Sequence, residues 1–442
     1  MLRLRRALTA LVALAATASL VVPATAAHAT TSDGAQAVVS PAAAKTWVGK
    51  TMSTMTCQFD STLMSTGGGA VDVLRMCHNP DSGKWTAKLA TQLKTAGQAK
   101  DARTLSGPVG YAMPKIATGS DGSGALLVPT DTGVELWRRP AGSSSWTKQQ
   151  TIAGRASDVG VGISKSGTVT VATAIGRTLA LRTAAPGKAL SSPQKLVTVS
   201  PTNSSGYEWA RVALSVDPSG GAVVAFAYMY GDKSWKTRVA SAVVATRTAG
   251  KSTFGAPTSF SSAEPATLQV QQAGAKSVVV WTNSKGAHAR VRPTATSAWT
   301  AAKQVGSVEG TVALAGSPNG RVDVAVTTYA GALHTRSLGA GTASSFSAVR
   351  FKATKVDPFE VRLVHRAAGE PVLLYALTTS SPFRGKQRQV VGDTTGTTWR
   401  TFSLLSSESV DLPGAGAAGD GAGTAAVHVR PATKGSYLAV WK

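Results

Sequence analysis

The sequence predicts an all-β protein, a single β-propeller of seven or eight four-stranded blades with the ring closed by the N-terminal strand. A glycine turn recurs about every fifty residues, at Gly68-Gly69, Gly122-Gly124, Gly167, Gly220-Gly221, Gly274, Gly320, Gly369 and Gly421-Gly423. Each turn is followed by two apolar runs of strand length, then by a polar stretch ending in an aromatic residue. Beyond the amino terminus no segment carries a helical period. A unit of about four short strands cannot bury both faces alone, so neighbours must stack, and a ring of such units leaves few open edges.

The amino-terminal residues 1–29 read as a secretory signal. Arg3, Arg5 and Arg6 precede an apolar core from Ala7 to Val22, and Ala24-Thr25-Ala26 and Ala27-His28-Ala29 offer small-residue exits, with cleavage expected after Ala29. The core is shorter than the roughly 20 residues of a membrane span and is interrupted by Thr9, Thr17 and Ser19. No later segment is long and apolar enough to span a bilayer, so none is expected to do so. Residues 30–45 have no strand period and read as a flexible leader, which leaves residues 46–442 for the propeller.

Strand pairs are expected at Gly124-Val128 with Val134-Trp137, Val169-Thr173 with Thr178-Thr183, Ala222-Tyr228 with Arg238-Val244, and Ser277-Trp281 with His288-Val291. They continue at Val322-Thr327 with Ala332-Ser337, Pro371-Leu377 with Gln387-Gly392, and Thr424-Val429 with Tyr437-Trp441. The first unit is a shorter hairpin at Ser61-Cys77. Trp85, Trp146, Phe254, Trp299, Phe346 and Trp399 each open a further strand, with Pro193 in the weakest position. The last hairpin has no such follower, whereas Thr46-Trp47-Val48 is a strand without a hairpin, so the two ends are expected to pair.

Cys57 and Cys77 are the only cysteines, and in an oxidising compartment they are expected to form one disulfide across the first repeat. It would stabilise by about 3 kcal/mol in the chain-entropy model. Only His78 lies beside them, and His288, His334, His365 and His428 have no mutual spacing for a cage, so neither metal nor cofactor is expected. The chain has 46 Lys and Arg against 22 Asp and Glu. Removing Arg3, Arg5 and Arg6 with the signal leaves 43 against 22, about +21. Such a charge attracts extracellular polyanions: wall polymers, acidic glycans, anionic lipid surfaces or, less favoured, nucleic acid. Because the cations are spread over every repeat, they also suit a soluble β-rich surface.

The segments Asp81-Ser82-Gly83-Lys84-Trp85, Asp393-Thr394-Thr395-Gly396-Thr397-Thr398-Trp399 and Ala141-Gly142-Ser143-Ser144-Ser145-Trp146 resemble the Asp-box turn of sialidase-type propellers. That resemblance implies the fold, since those boxes are structural turns far from the active face. The family's amino-terminal arginine in an Arg-Ile-Pro setting has no counterpart between Thr46 and Gly110, so the resemblance does not extend to sialidase catalysis.

Two clusters are candidate sites. In repeat four, Tyr207, Glu208 and Trp209 enter the first strand, and Tyr230, Asp232 and Trp235 lie between the second and third. Aromatic faces beside hydrogen-bonding groups suit stacking on sugar rings. In repeat seven, period two puts Glu360, Arg362 and Arg366 on one strand face and Val361, Leu363 and His365 on the other, while Arg384 lies in the facing connection. These arginines suit forked bonds to an acidic ligand. The sequence points to an exported, non-catalytic, monomeric binder of acidic glycan or wall polymer. A glycoside hydrolase using Tyr207, Glu208, Asp357 and Glu360 is the enzymatic alternative, and a protein-binding scaffold the third.

Overall fold

The recurring glycines sit where the chain must reverse with a left-handed backbone. Gly69, Gly122, Gly167, Gly220, Gly274 and Gly320 have φ of +79°, +85°, +72°, +89°, +56° and +86°, a region that residues with a Cβ rarely adopt. Each lies between the first and second strands of a sheet. The computed structural model describes residues 47–51, 60–79, 84–93, 100–108, 112–200, 207–234, 236–307, 309–365, 370–377, 384–385, 387–392, 399–403, 410–419, 425–431 and 437–441. The expected signal and leader, Cys57, Trp235, Arg366, Gly369 and Gly421-Gly423 lie outside them.

All described elements are β-strands, arranged in eight antiparallel sheets. Sheets one to three run Asp60–Pro108, Lys115–Ala153 and Ala156–Thr198. Sheet four contains Glu208–Val216, Ala222–Gly231, Thr237–Arg247 and Thr258–Ser259; sheet five contains Thr267–Ala273, Lys276–Asn283, Gly286–Arg292 and Lys303–Gly306. Sheets six and seven run Gly310–Ala353 and Val356–Ser403. In sheet eight Val410–Gly419, Ala425–Pro431 and Tyr437–Trp441 are completed by Trp47–Thr51, in register from Trp47 opposite Trp441 to Thr51 opposite Tyr437. The first strand of sheet one also contacts the first strand of sheet eight. The described strands therefore form eight units, the higher of the two expected numbers.

The first unit contains the expected hairpin at Ser61-Cys77, but as strands one and two, not as strands two and three. Its glycine turn separates strands one and two, so Asp60–Gly67 and Ala70–Asn79 are those strands and Trp85 lies within the third, Lys84–Gln92. The fourth, Lys100–Pro108, is rich in polar residues and carries no aromatic opener. Trp85 instead fills the space between sheets one and two. No disulfide is found among the described residues, and because Cys57 lies outside them, the expected Cys57–Cys77 bridge gains no support.

The core lies between sheets. Six apolar clusters among the described residues each join one pair of neighbours, from sheets one and two through to sheets six and seven. Second strands are covered on both faces, so Gly124–Pro129 and Lys276–Asn283 are buried throughout, which explains their continuous apolar runs. First strands of neighbouring sheets pack closely: a Cβ on Gly162 would stand 2.5 Å from Cγ2 of Val216.

Candidate functional site

Antiparallel order gives every sheet two ends. One carries the glycine turns and the connections from strand three to strand four. The other, the loop end, carries the connections from strand two to strand three and from each sheet to the next. The glycine ends of successive sheets adjoin. Lys165 N donates to Pro218 O at 2.9 Å between sheets three and four, and Gln272 N to Ser215 Oγ at 3.0 Å between sheets four and five.

Among the described residues the exposed large hydrophobics, Met113, Tyr207 and Tyr329, all sit at the loop end. Met113 precedes the first strand of sheet two, Tyr207 that of sheet four, and Tyr329 follows the second strand of sheet six. Tyr207 packs against Trp209 with ring centroids 5.0 Å apart and planes at 51°.

Beside Trp209, Glu208 is the centre of a polar cluster. Register places Glu208 opposite Tyr230 and Ala210 opposite Tyr228. Tyr228 Oη donates to Glu208 Oε2 at 2.6 Å, and Arg177 Nη2 donates to Glu208 Oε1 at 2.8 Å. Arg177 comes from sheet three, in the tight turn between Val169–Ile175 and Thr178–Ala184, so the cluster bridges two sheets. Burial, and then the Glu208 carboxylate it faces, push the Tyr228 phenol up to about 12. Tyr228 therefore stays a hydrogen-bond donor at neutral pH. The bonds to Glu208, then Tyr228, raise the Arg177 guanidinium above its ordinary value.

Asp232 has a structural role. Its carboxylate accepts the amides of Ser234 and Lys236 at 2.8 and 3.0 Å and Nε of Arg238 at 2.8 Å, which tie down the connection after Tyr230. The Arg238 bond, then the Lys236 amide, lower its pKa. Sequence reasoning selected Glu208 and Trp209 but missed Arg177, whose turn carries no motif.

In repeat seven the alternation holds where side chains are described. Val361, Leu363 and His365 are buried, Arg362 is half-buried, and Arg362 Nη1 donates to Val361 O at 3.0 Å. The side chains of Glu360 and Arg384 lie outside the described residues. The backbone of Arg384 pairs with Asp411, which connects this loop to sheet eight. The first strand of sheet four contacts those of sheets three and five, and the first strand of sheet seven those of sheets six and eight, so clusters four and seven do not meet through adjacent strands.

The buried charges at the glycine end hold sheets together. Asp72, in sheet one, accepts Nε and Nη2 of Arg139 from sheet two at 3.0 and 2.8 Å, and its remaining lone pairs are met by Thr91 and Thr118. Arg139 lies 5.6 Å from the ring of Trp146, the aromatic of the Ala141–Trp146 turn, which is thereby a packing residue. Asp323 is similarly met by Arg321 and by His365 Nε2 at 2.8 Å. Burial alone would raise its pKa, but His365 and Arg321 together lower it.

This pattern of strands defines a β-propeller protein. No family model matches the chain, and no curated protein matches it. Similar solved structures include the β-propeller domain of the Trilobed protease from Pyrococcus furiosus, at 9% identity over 79% of this chain and 97% of that one, TM-score 0.43. A prolyl endopeptidase is 12% identical over 85% of this chain, TM-score 0.46, and this chain spans 55% of its length. The SapL1 lectin, solved with alpha methyl fucoside, is 10% identical over 78% of this chain and 96% of its own, TM-score 0.39. Such distant likenesses carry no argument about ligand or chemistry, and the sialidase subtype is not among what they support.

Proposed function

We propose that this chain is an exported, non-catalytic, monomeric propeller that retains an acidic glycan or wall polymer at its loop end. The observation that carries this reading is that the exposed large hydrophobics among the described residues all lie at that end, where Tyr207 packs on Trp209 on one face of its strand and Arg177, Glu208 and Tyr228 join on the other. A sugar ring would stack on Tyr207 and Trp209, while Arg177 and Glu208, on the other face of the same strand, offer groups of both signs to a neighbouring unit of the polymer. Export rests on the signal-like residues 1–29, and attraction of an acidic polymer on the excess of 24 basic side chains in the full chain.

A second reading, hydrolysis of a glycosidic bond, draws on the Tyr228–Glu208 contact at 2.6 Å. A phenol pushed up to about 12 stays protonated at neutral pH, so turnover through it would require Glu208 to take its proton. Mature protein applied to a mixed array of glycans and wall polymers, read for both retention and released reducing sugar, tests the two together. Retention without release, weakened in Trp209→Ala and Arg177→Gln, is the expected result. Release would make the chain an enzyme; neither retention nor release would leave protein binding as the function.

A further inference from the structure

A cleft between sheets four and five, on the flank toward the glycine end, is separate from the loop-end cluster. Its main chamber has a volume of about 610 Å³, within the range of pockets that take a small ligand. Sheet four contributes Lys251 and Phe254, and sheet five contributes Arg290, Arg292 and Trp299. The remaining lining is largely threonine, serine and small residues, and no carboxylate lines it. A second chamber of about 230 Å³ shares Thr246, Thr248 and Arg292 with the first and adds Arg247. Lys251, Arg290 and Arg292 thus line the first chamber, Arg247 and Arg292 the second, and no acid among the described residues lines either.

How those cations are held distinguishes them from scattered surface charge. Arg290 Nε donates to Thr300 O at 2.6 Å, and its Nη1 to Ser259 O. Arg292 Nε donates to Ser297 O at 2.9 Å, and its other nitrogens to Thr246 Oγ1 and Ala295 O. Both guanidiniums are fixed by neutral acceptors, so their orientation is set while their charge stays uncompensated. Arg247 is buried, lies 5.2 Å from the Phe254 ring, and bonds Thr170 Oγ1 and Gly220 O through Nη2; its Nε is buried with no partner. Asp217 partly offsets the charge of Arg247, but half-buried Arg292 is held by neutral acceptors alone, and an incoming anion would relieve the cost of a partly desolvated cation. The half-buried Trp299 beside hydroxyl-bearing walls adds a stacking surface that a bare inorganic anion would not use.

We propose that this cleft binds an acidic hexose unit, the anion meeting Arg290, Arg292 and Lys251 and the ring lying against Trp299. The site is independent of the loop-end reading. Full mature protein is titrated with an oligouronate, a sulfated hexose oligomer, a neutral oligomer of the same length and a short single-stranded oligonucleotide, and hydrogen exchange maps each bound state. Protection at residues 246–258 and 290–299 by either acidic sugar, and not by the neutral one, is expected; which of the two protects identifies carboxylate or sulfate. Lys251 and Thr248 are exposed, so Lys251→Glu and Thr248→Glu should leave the fold intact, which melting curves of both variants are to check. Each should weaken binding by about tenfold, and raising salt should weaken it further. Protection confined to residues 207–232 would overturn the cleft while leaving the loop-end site standing. Equal binding of the neutral oligomer, protection by the oligonucleotide alone, or affinity unchanged in both glutamate variants would also overturn it.

Discussion

Two residues make the sharpest tests at the smallest scale. Tyr228 donates to a carboxylate that Arg177 also holds, so Tyr228→Phe keeps the packing but removes one support of Glu208. We expect a loss of about 1–2 kcal/mol in stability, read by urea denaturation, together with weakened retention on the array. Lys276 is buried, its Nζ donates to the Gly339 carbonyl, and burial pulls its pKa from 10.5 to about 8. The folded state therefore binds fewer protons than the unfolded one between those values. Stability contributed by this group must rise with pH from about 8 to 10.5, by up to about 3 kcal/mol. Denaturation midpoints at pH 8 and pH 10 check this by difference, since Lys276→Met removes the rise due to this amine and leaves the other titrations in place.

Sheets are joined by two kinds of contact, one polar and one steric. The Asp72–Arg139 pair is fully buried and closes the contact between sheets one and two. Arg139→Met would strand the carboxylate and cost about 3–5 kcal/mol, whereas Asp72→Leu combined with Arg139→Met should cost less than the single change, as a denaturation cycle would reveal. A double variant as unstable as the sum of its parts would show that the pair is not coupled. Closer to the sheet centres, Gly160 and Gly162 allow Leu214 and Val216 of the next sheet to approach. Gly162→Ala should cost about 1–3 kcal/mol through overpacking, and Val216→Ala in the same chain should recover part of it.

At the scale of the molecule, the pairing of Trp47–Thr51 with Tyr437–Trp441 joins the two ends of the described chain in one sheet. A chain ending at Thr433 loses Tyr437–Trp441, which pairs on both sides, leaving open edges on Trp47–Thr51 and Ala425–Pro431. If neighbour contacts close the eight units into a ring, that truncation abolishes the sharp melting transition instead of fraying one edge. An unchanged transition would mean that sheet eight contributes little to the cooperativity of the rest.

Sequence and tertiary structure contributed at different levels, and the division has a physical basis. Strand runs, glycine reversals and the pairing of the two ends are local or periodic properties, so they were legible from residues alone: a left-handed turn needs Gly167 or Gly220 wherever it occurs, and a strand covered on both faces must read as an apolar run. In the first unit the fourth strand had no local signal, because Trp85 opens the third strand and the polar Lys100–Pro108 carries no aromatic marker. Glu208 and Trp209 stood out as an aromatic and acidic cluster. That Glu208 answers to Arg177, 31 residues earlier in another sheet, depends on how neighbouring sheets stack, and no spacing along the chain encodes it. The same holds for the cleft between sheets four and five. Charge, aromatics and glycines can be read from composition, but which cations stand without an acid beside them is decided only when two sheets are brought together.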